Sequence, residues 1–196
     1  GLISRNQGRL DALASDLTSD GVQAAGFAAD VRDPASLSAA LEQVAETLGP
    51  IQVLQYSPLP QKDFMRPVME TRPEDMRGPV EFSIYGPMAA VHQVVPGMRF
   101  LPDGGGSILF VNGGSAVKPG IPFTGTSIAF AGQAAYAQLL HAELGEQGIH
   151  VAQPIIPGSI EAGHAKKDPA VLADTLYGMH TKRKDFRVFA DDIATE

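Results

Sequence analysis

The sequence predicts an α/β fold in which helices cover both faces of a parallel β-sheet. Segments with apolar residues at helical spacing alternate along the chain with short apolar segments, of which Ser107 to Val111 is the most apolar. Continuously apolar strands are typical of parallel sheets, because both faces of such sheets are buried. The 196 residues fit one domain, and we expect residues 1–196 to form it.

The composition excludes several classes of function. The chain is 44% hydrophobic and 19% charged, as globular proteins are, and its net charge of −7 argues against nucleic acid, because phosphate binding needs a basic patch. It has no cysteine, and its five histidines lack metal-ligand spacing, so we expect no metal. No apolar run approaches the roughly 20 residues that span a membrane. No signal peptide is visible either, which makes the cytoplasm the expected compartment.

Helices are predicted where periodic apolar residues lie between capping or helix-breaking residues. Asn6 is placed to cap the first helix, which Gly21 ends, and Asp33 followed by Pro34 is typical of a second helix start. The other predicted helices run from Glu74 towards Met98, with kinks at Gly78-Pro79 and Gly86-Pro87, from about Ser127 to Gln147, and around Pro169 to His180.

Strands are predicted between these helices. The Pro-rich stretch from Tyr56 to Pro73 is predicted to be a loop. The predicted strands are Val22 to Ala29, Ile51 to Leu54 (a buried strand), Ser107 to Val111, Ile149 to Ile156, and an edge strand from Phe186 to Phe189.

Six short motifs follow one another between residues 2 and 158. They are Ser4-Arg5-Asn6 before a Leu-rich helix, Ala29-Asp30-Val31, Leu48-Gly49-Pro50 leading into Ile51 to Leu54, Gly106 to Val111, Ala142-Glu143-Leu144 followed by Gly148 to Val151, and Pro157-Gly158. In order and spacing they resemble the short-chain dehydrogenase/reductase family, Rossmann-fold enzymes that use NAD(H) or NADP(H). The resemblance implies a doubly wound parallel sheet with helices on both faces.

The resemblance also implies a unit that this sequence does not contain. The family fold begins with a strand, a glycine-rich turn and a helix, which hold the dinucleotide pyrophosphate at a helix N-terminus. Gly1 aligns with the second strand of that fold, and the sequence begins without Met. We therefore expect that the first β–α unit is missing and that the sequence is a portion of a longer protein.

The cofactor positions implied by the resemblance are Ser4, Arg5, Asp30, Val31, Tyr56, Pro157 and Gly158. Arg5 follows the second strand of the family fold, where an arginine suits the 2′-phosphate of NADP and an acidic residue would suit NAD. NADP is therefore the expected cofactor, with NAD as the lesser alternative. Arg5 as a solvated arginine, Asp30 as an ordinary turn aspartate and Pro157-Gly158 as a strand terminator remain open.

The catalytic positions of the family are all changed. The family uses a tyrosine acid/base, a lysine four residues later, a serine and an asparagine, and these positions fall on Thr126, Phe130, Gly113 and Ser83. No Tyr-x-x-x-Lys occurs anywhere in the chain. The remaining catalytic candidates are Tyr56, which would project into the crevice or merely fill an emptied site, and Ser115, two positions from the serine position.

The resemblance implies an oxidoreductase that acts on a small carbonyl or alcohol with a non-standard active site. The alternatives are a catalytically silent dinucleotide-binding or scaffold protein and a non-redox enzyme. The helices near 74–98 and 127–145, the latter rich in Ala and Gly, are expected to pair across subunits of a homo-oligomer, a dimer or a tetramer. Packing of the small residues on the sheet alone is the other interpretation.

Overall fold

A computed structural model describes residues 1–102 and 105–193. Its strands are β1 Leu2–Ser4, β2 Gly26–Ala28, β3 Val53–Tyr56, β4 Ser107–Phe110, β5 Asn112–Gly113, β6 His150–Ile156 and β7 Arg187–Phe189. Its α-helices are α1 Gln7–Ser19, α2 Pro34–Leu48, α3 Arg77–Val80, α4 Gly86–Met98, α5 Thr124–Gly145 and α6 Pro169–Lys182. Within these two ranges, no helix has the length and apolar character needed to span a membrane.

The strands form two sheets, and every strand pair is parallel. β1 pairs with β2, so that Leu2 lies opposite Gly26. In the larger sheet β3 pairs with β4 and β4 pairs with β6, while β5 and β7 also pair with β6. The predicted parallel α/β architecture is confirmed.

Helices cover both faces of the larger sheet. Ile108 and Phe110 of β4 face the main core, together with buried residues of α2, α4 and α5. The intervening Leu109 faces the opposite side, where it packs with Ala152 of β6 and Met179 of α6. Alternate residues of a strand point to opposite faces, so α6 lies across the sheet from the other three helices.

The capping residues predicted for α1 and α2 act as expected. The Asn6 side-chain oxygen accepts a hydrogen bond from the Arg9 N–H at 2.9 Å. The Asp33 carboxylate accepts from the N–H groups of Ala35 and Ser36, both at 3.1 Å. These bonds satisfy amide groups that have no partner within the first helical turn.

Two predicted strands differ from the observed ones. β2 covers only Gly26–Ala28, and the strand predicted at Ile51 to Leu54 is shifted to Val53–Tyr56. The prediction that it is buried on both faces is wrong, because Val53 is 38% exposed and Gln55 is exposed as well. A cavity of about 580 Å³ separates this face of β3 from α6.

The helical stretch predicted from Glu74 is interrupted where prolines were expected to kink it. A 3-10 turn at Pro73–Met76 leads into α3, and a π-helical segment, Glu81–Tyr85, joins α3 to α4. Pro79 and Pro87 have no N–H to donate to the α-helical ladder, which favours such irregular hydrogen bonding.

The smaller sheet stands apart from the larger one. β1 and β3 lie on either side of a cavity of about 150 Å³, to which Ile3 and Leu54 both contribute. No strand pairing joins the two sheets among the described residues. The edges of β1 and β3 that face this cavity are therefore unpaired.

Candidate active site

Two adjoining cavities lie beyond the carboxyl ends of the strands. The polar cavity, of about 480 Å³, is formed by the residues that end or follow β1 and β2 and by the start of the Pro-rich segment. The apolar cavity, of about 800 Å³, is formed by the Pro-rich segment, the loops after β5 and β6, and the start of α5. Ser57, Pro58 and Leu59 line both cavities, so the two form one cleft.

The polar cavity brings together four of the predicted cofactor residues, namely Ser4, Arg5, Asp30 and Val31. Asn6 and Arg9 also line it. Arg9 was missed by the sequence reasoning, although its position four residues after Arg5 at a predicted helix start was an available signal. The cavity thus contains two guanidinium groups at the start of α1.

Asp30 serves the local turn as well as lining the polar cavity. Its carboxylate accepts a hydrogen bond from the Arg32 N–H at 3.0 Å. The Arg32 guanidinium in turn contacts Glu81 of the π-helical segment at 2.7 Å. Hydrogen bonds from Arg77 and Arg32 lower the pKa of Glu81. The geometry is compatible with both roles considered for Asp30.

Tyr56 ends β3 but is not among the residues that line the polar or the apolar cavity. Its side chain is buried and its hydroxyl donates to the carbonyl oxygen of Phe82 at 2.5 Å. Burial raises the pKa of Tyr56, and the negative charge of Asp30 raises it further. This arrangement is poorly suited to proton transfer and favours the interpretation in which Tyr56 fills space.

The apolar cavity brings together three of the four positions predicted to match the family's catalytic residues: Gly113, Thr126 and Phe130. Ser115 lines it too. The Thr126 hydroxyl is buried and has no hydrogen-bond partner within the described part of the chain. Thr126 therefore offers an unused hydrogen-bonding group at the cavity wall.

Pro157 and Gly158, two of the predicted cofactor residues, also lie at the apolar cavity. Pro157 and Gly158 follow β6 and both line the cavity. Gly158 has a φ of +68°, a conformation that favours glycine, and it turns the chain past the opening. Tyr56 is the one predicted cofactor residue that contacts neither cavity.

Phe130 and Ser83 are part of the core rather than chemical groups of the cleft. Phe130 is 5% exposed and packs in a cluster with Phe64, Phe82 and Ile155. Ser83 is 2% exposed, lies within the π-helical segment, and is not among the residues lining either cavity. Phe130, at the position predicted to match the family's lysine, therefore contributes to core packing.

A chain of buried amides lies next to the apolar cavity, and the sequence reasoning missed it. Arg187 donates to Gln153 at 2.8 Å, Gln153 donates to Asn112 at 2.7 Å, and Asn112 donates to Gln133 at 2.5 Å. Asn112 itself lines the cavity. The available signal was Gln153, a polar residue in the middle of the predicted strand from Ile149 to Ile156.

The charges of the cleft are unevenly distributed. Lys118 is the single charged side chain among the described residues that line the apolar cavity. The same described part of the chain contains no group of three or more His, Asp or Glu side chains placed to hold a metal ion.

A parallel sheet with helices on both faces and a cleft at its carboxyl edge defines a Rossmann-type protein. A family model described as short chain dehydrogenase matches residues 1–171. The chain therefore belongs to the short-chain dehydrogenase family, as its motifs implied.

Individual relatives agree with this assignment. A fatty acyl-CoA reductase of Mycobacterium tuberculosis is 27% identical over 151 residues, which are 76% of this chain and 50% of that protein. The chain thus spans half the length of this curated relative.

Solved structures are similar in fold. The L-sorbose reductase of Gluconobacter frateurii, complexed with NADPH and L-sorbose, has a TM-score of 0.73 and 24% identity, covering 79% of this chain and 58% of that one. An NADPH-bound short chain oxidoreductase of Pseudomonas aeruginosa, whose catalytic center is described as atypical, has a TM-score of 0.74 and 22% identity, covering 90% and 65%.

Proposed function

We propose that this chain is part of an NADP(H)-dependent oxidoreductase that acts on a carbonyl compound or alcohol with a non-standard active site. The observation that carries the proposal is the single cleft, which has a basic polar end and a hydroxyl-bearing apolar end. The fatty acyl-CoA reductase and the two NADPH-bound structures support it by kinship. When bound, a nicotinamide cofactor supplies or accepts a hydride at the substrate carbon.

The polar cavity would hold the adenosine end of the cofactor. Arg5 and Arg9 suit a 2′-phosphate, because a guanidinium forms paired, charge-assisted hydrogen bonds with phosphate oxygens. Ser4, which also lines this cavity, would add a hydroxyl, and Asp30 would approach the adenine edge. An NAD-specific site would place an acidic residue where Arg5 stands.

The apolar cavity would hold the nicotinamide and the substrate. Thr126 and Ser115 supply hydroxyl groups that can hydrogen-bond a carbonyl oxygen and orient it. Neither is as acidic as a phenol, and a well-placed acid/base contributes about 10²–10⁴ in rate. We therefore expect slow turnover, with the proton exchanged with solvent.

A dinucleotide-binding protein without turnover is the second candidate function. It is favoured by the packing of Phe130 in the core and by the hydrogen bond that occupies the Tyr56 hydroxyl. In such a protein the cleft would bind a dinucleotide and present a surface to other molecules.

The split between the two sheets supports a further β–α unit in the same domain. The unpaired edges of β1 and β3 border one cavity, and a parallel strand between them would pair with both. A helix after that strand would cover the exposed face of β3 at Val53 and Gln55. A unit of this kind also supplies a phosphate-binding turn in Rossmann folds.

A homo-oligomer built on α4 and α5 is part of the proposal. Ile128 is 57% and Leu139 is 69% exposed on α5, beside small residues such as Ala131 and Ala135. Apolar side chains on the outer face of a helix are typical of subunit contacts. Light scattering should give a mass of two or more chains for the native protein, and Ala135→Arg should reduce it.

Cofactor titration combined with a turnover assay tests the proposed function. Calorimetric titration should show tighter binding of NADPH than of NADH. The absorbance of NADPH should then decrease slowly in the presence of at least one aldehyde or ketone from a broad panel. Binding without turnover would support the silent alternative, and no binding of either dinucleotide would overturn both candidates.

A further inference from the structure

The walls of the apolar cavity define what kind of molecule it can bury. Large apolar side chains come from all of its sides: Leu59, Met65, Phe123, Phe130 and Ile160. Four of them are conspicuously exposed for apolar residues, with Leu59 at 87%, Ile160 at 54%, Phe123 at 42% and Met65 at 39%. Contiguous exposed apolar surface around a concavity marks a ligand site.

Polar side chains are a minority in the described lining of the apolar cavity: Ser57, Asn112, Ser115, Lys118, Thr126 and Ser159. Asn112 is held at both ends of its side-chain amide, since it accepts from Gln153 and donates to Gln133. The Thr126 hydroxyl, in contrast, is buried without a partner in the described structure. A ligand oxygen beside Thr126 would complete a hydrogen bond that is otherwise unmade.

The apolar walls and the Thr126 hydroxyl favour one class of carbonyl compound over another. Each buried methylene contributes about 0.8 kcal/mol to binding, so an apolar chain gains from these walls. A sugar would bring a hydroxyl on nearly every carbon, and each hydroxyl buried without a partner costs roughly 1–3 kcal/mol. The walls therefore favour one polar oxygen on an apolar body.

We propose that the apolar cavity binds a hydrophobic aldehyde, ketone or alcohol, with the Thr126 hydroxyl as hydrogen-bond partner of its single oxygen. The role of this molecule as a substrate rests on the proposed oxidoreductase function. Its binding does not, because it depends on Thr126 and on apolar side chains of this chain and not on a bound dinucleotide. Leu59 and Met65 act as specificity-determining residues at the rim.

Binding of a matched pair of ligands tests the inference without turnover. The probes are 2-octanone and a ketopentose, which have similar numbers of heavy atoms but opposite polarity, followed by calorimetry or ligand-observed NMR on the native protein. We expect 2-octanone to bind at least tenfold more tightly. Equal affinities, or tighter binding of the ketopentose, would overturn the proposal.

Two pairs of variants locate the ligand. Thr126→Val should weaken 2-octanone binding about 3- to 10-fold, whereas Thr126→Ser should retain it. The control is Thr175→Val, on α6 and outside the lining of the apolar cavity, which should leave 2-octanone binding unchanged. Leu59→Asp should weaken it by a similar factor, and Met69→Asp, 92% exposed outside the cavity, should not. Unchanged binding in Thr126→Val or in Leu59→Asp would overturn the placement.

The cofactor titration separates the two proposals. If 2-octanone binds as expected but neither dinucleotide binds, the hydrophobic site stands and the oxidoreductase function fails. If NADPH binds but 2-octanone does not, the oxidoreductase function stands and the inferred substrate class fails. Thermal unfolding of every variant verifies that a loss of binding is not a loss of fold.

Discussion

The two ends of the cleft differ in the kind of residue that lines them. At the polar end, Arg5, Arg9 and Asp30 present charged groups to the solvent-accessible cavity. At the apolar end, Lys118 is the one charged residue in the described lining, and aromatic and aliphatic side chains dominate. The residues of the proposed cofactor end and those of the proposed substrate end therefore follow different strands of the fold.

Two of the residues singled out from the sequence, Phe130 and Tyr56, have structural contacts in this fold. Phe130 fills a core cluster with Phe64 and Phe82, and the Tyr56 hydroxyl is bonded to the Phe82 carbonyl. Substitutions of Phe130 and Tyr56 should therefore affect stability, whereas substitutions of the arginines at the polar end should affect cofactor binding.

Phe130→Ala should have the largest effect. Truncation of a buried phenylalanine removes its contacts and leaves a cavity, which lowers the free energy of unfolding by about 3–5 kcal/mol. Chemical denaturation measures the change, and Phe100→Ala, at an 89% exposed position, should alter stability little. A loss for Phe130→Ala no larger than that of the control would contradict a stabilising role of Phe130 in the core.

Replacement of both Arg5 and Arg9 by alanine should have the next largest effect, and on binding alone. Charge-assisted hydrogen bonds contribute about 1.5–3 kcal/mol each, so NADPH affinity should fall at least about tenfold while NADH affinity stays nearly constant. Arg99→Ala provides the control, since Arg99 bonds to Gln147 and does not line the polar cavity. An equal loss for NADH and NADPH would mean that the two arginines do not recognise the 2′-phosphate.

Tyr56→Phe should have a smaller effect, on stability and not on turnover. The variant removes the bond to the Phe82 carbonyl, which costs about 0.5–1.5 kcal/mol of unfolding free energy. Tyr177→Phe is the matched control, because Tyr177 is 70% exposed. A drop in turnover without a drop in stability would restore Tyr56 as a catalytic acid.

Sequence reasoning performed well where the signal was local. Caps such as Asn6 and Asp33 and the prolines of the 74–98 stretch act on their own helical turns, so α1, α2 and the broken helix were predictable. That Arg5 and Asp30 line one cavity was predictable for the same reason, since they come within two residues of the ends of β1 and β2.

The apolar end was less predictable because its contacts are distant in sequence. Tyr56 bonds to Phe82, and Gln153 bonds to Asn112, across long stretches of chain. Sequence spacing places Tyr56 at a strand end and Gln153 inside a strand, but it does not identify their hydrogen-bond partners. The exposed face of β3 escaped prediction likewise, since an apolar strand pattern assumes a helix that covers it.

Acidification should give the smallest effect, at the opposite edge of the sheet from the cleft. His150 begins β6 and His180 bonds to Ser107 at the start of β4. Burial lowers the pKa of both side chains in the folded state, with a smaller contribution from the Arg183 charge. A histidine in an unfolded chain has a pKa of about 6.5. The contribution of His150 and His180 to folding stability is therefore complete above that pH and is lost as the pH falls through their lower folded-state pKa values.

The acid effect should spare the cleft, because no histidine is among the described residues that line either cavity. Denaturation between about pH 8 and pH 5.5 should show falling stability, and His150→Gln should flatten this dependence while His92→Gln, at an exposed site on α4, retains it. NADH affinity should stay constant until the protein unfolds. If NADH affinity changed in parallel with stability while the protein remained folded, the two edges of the sheet would be coupled and the separation of binding from stability would fail.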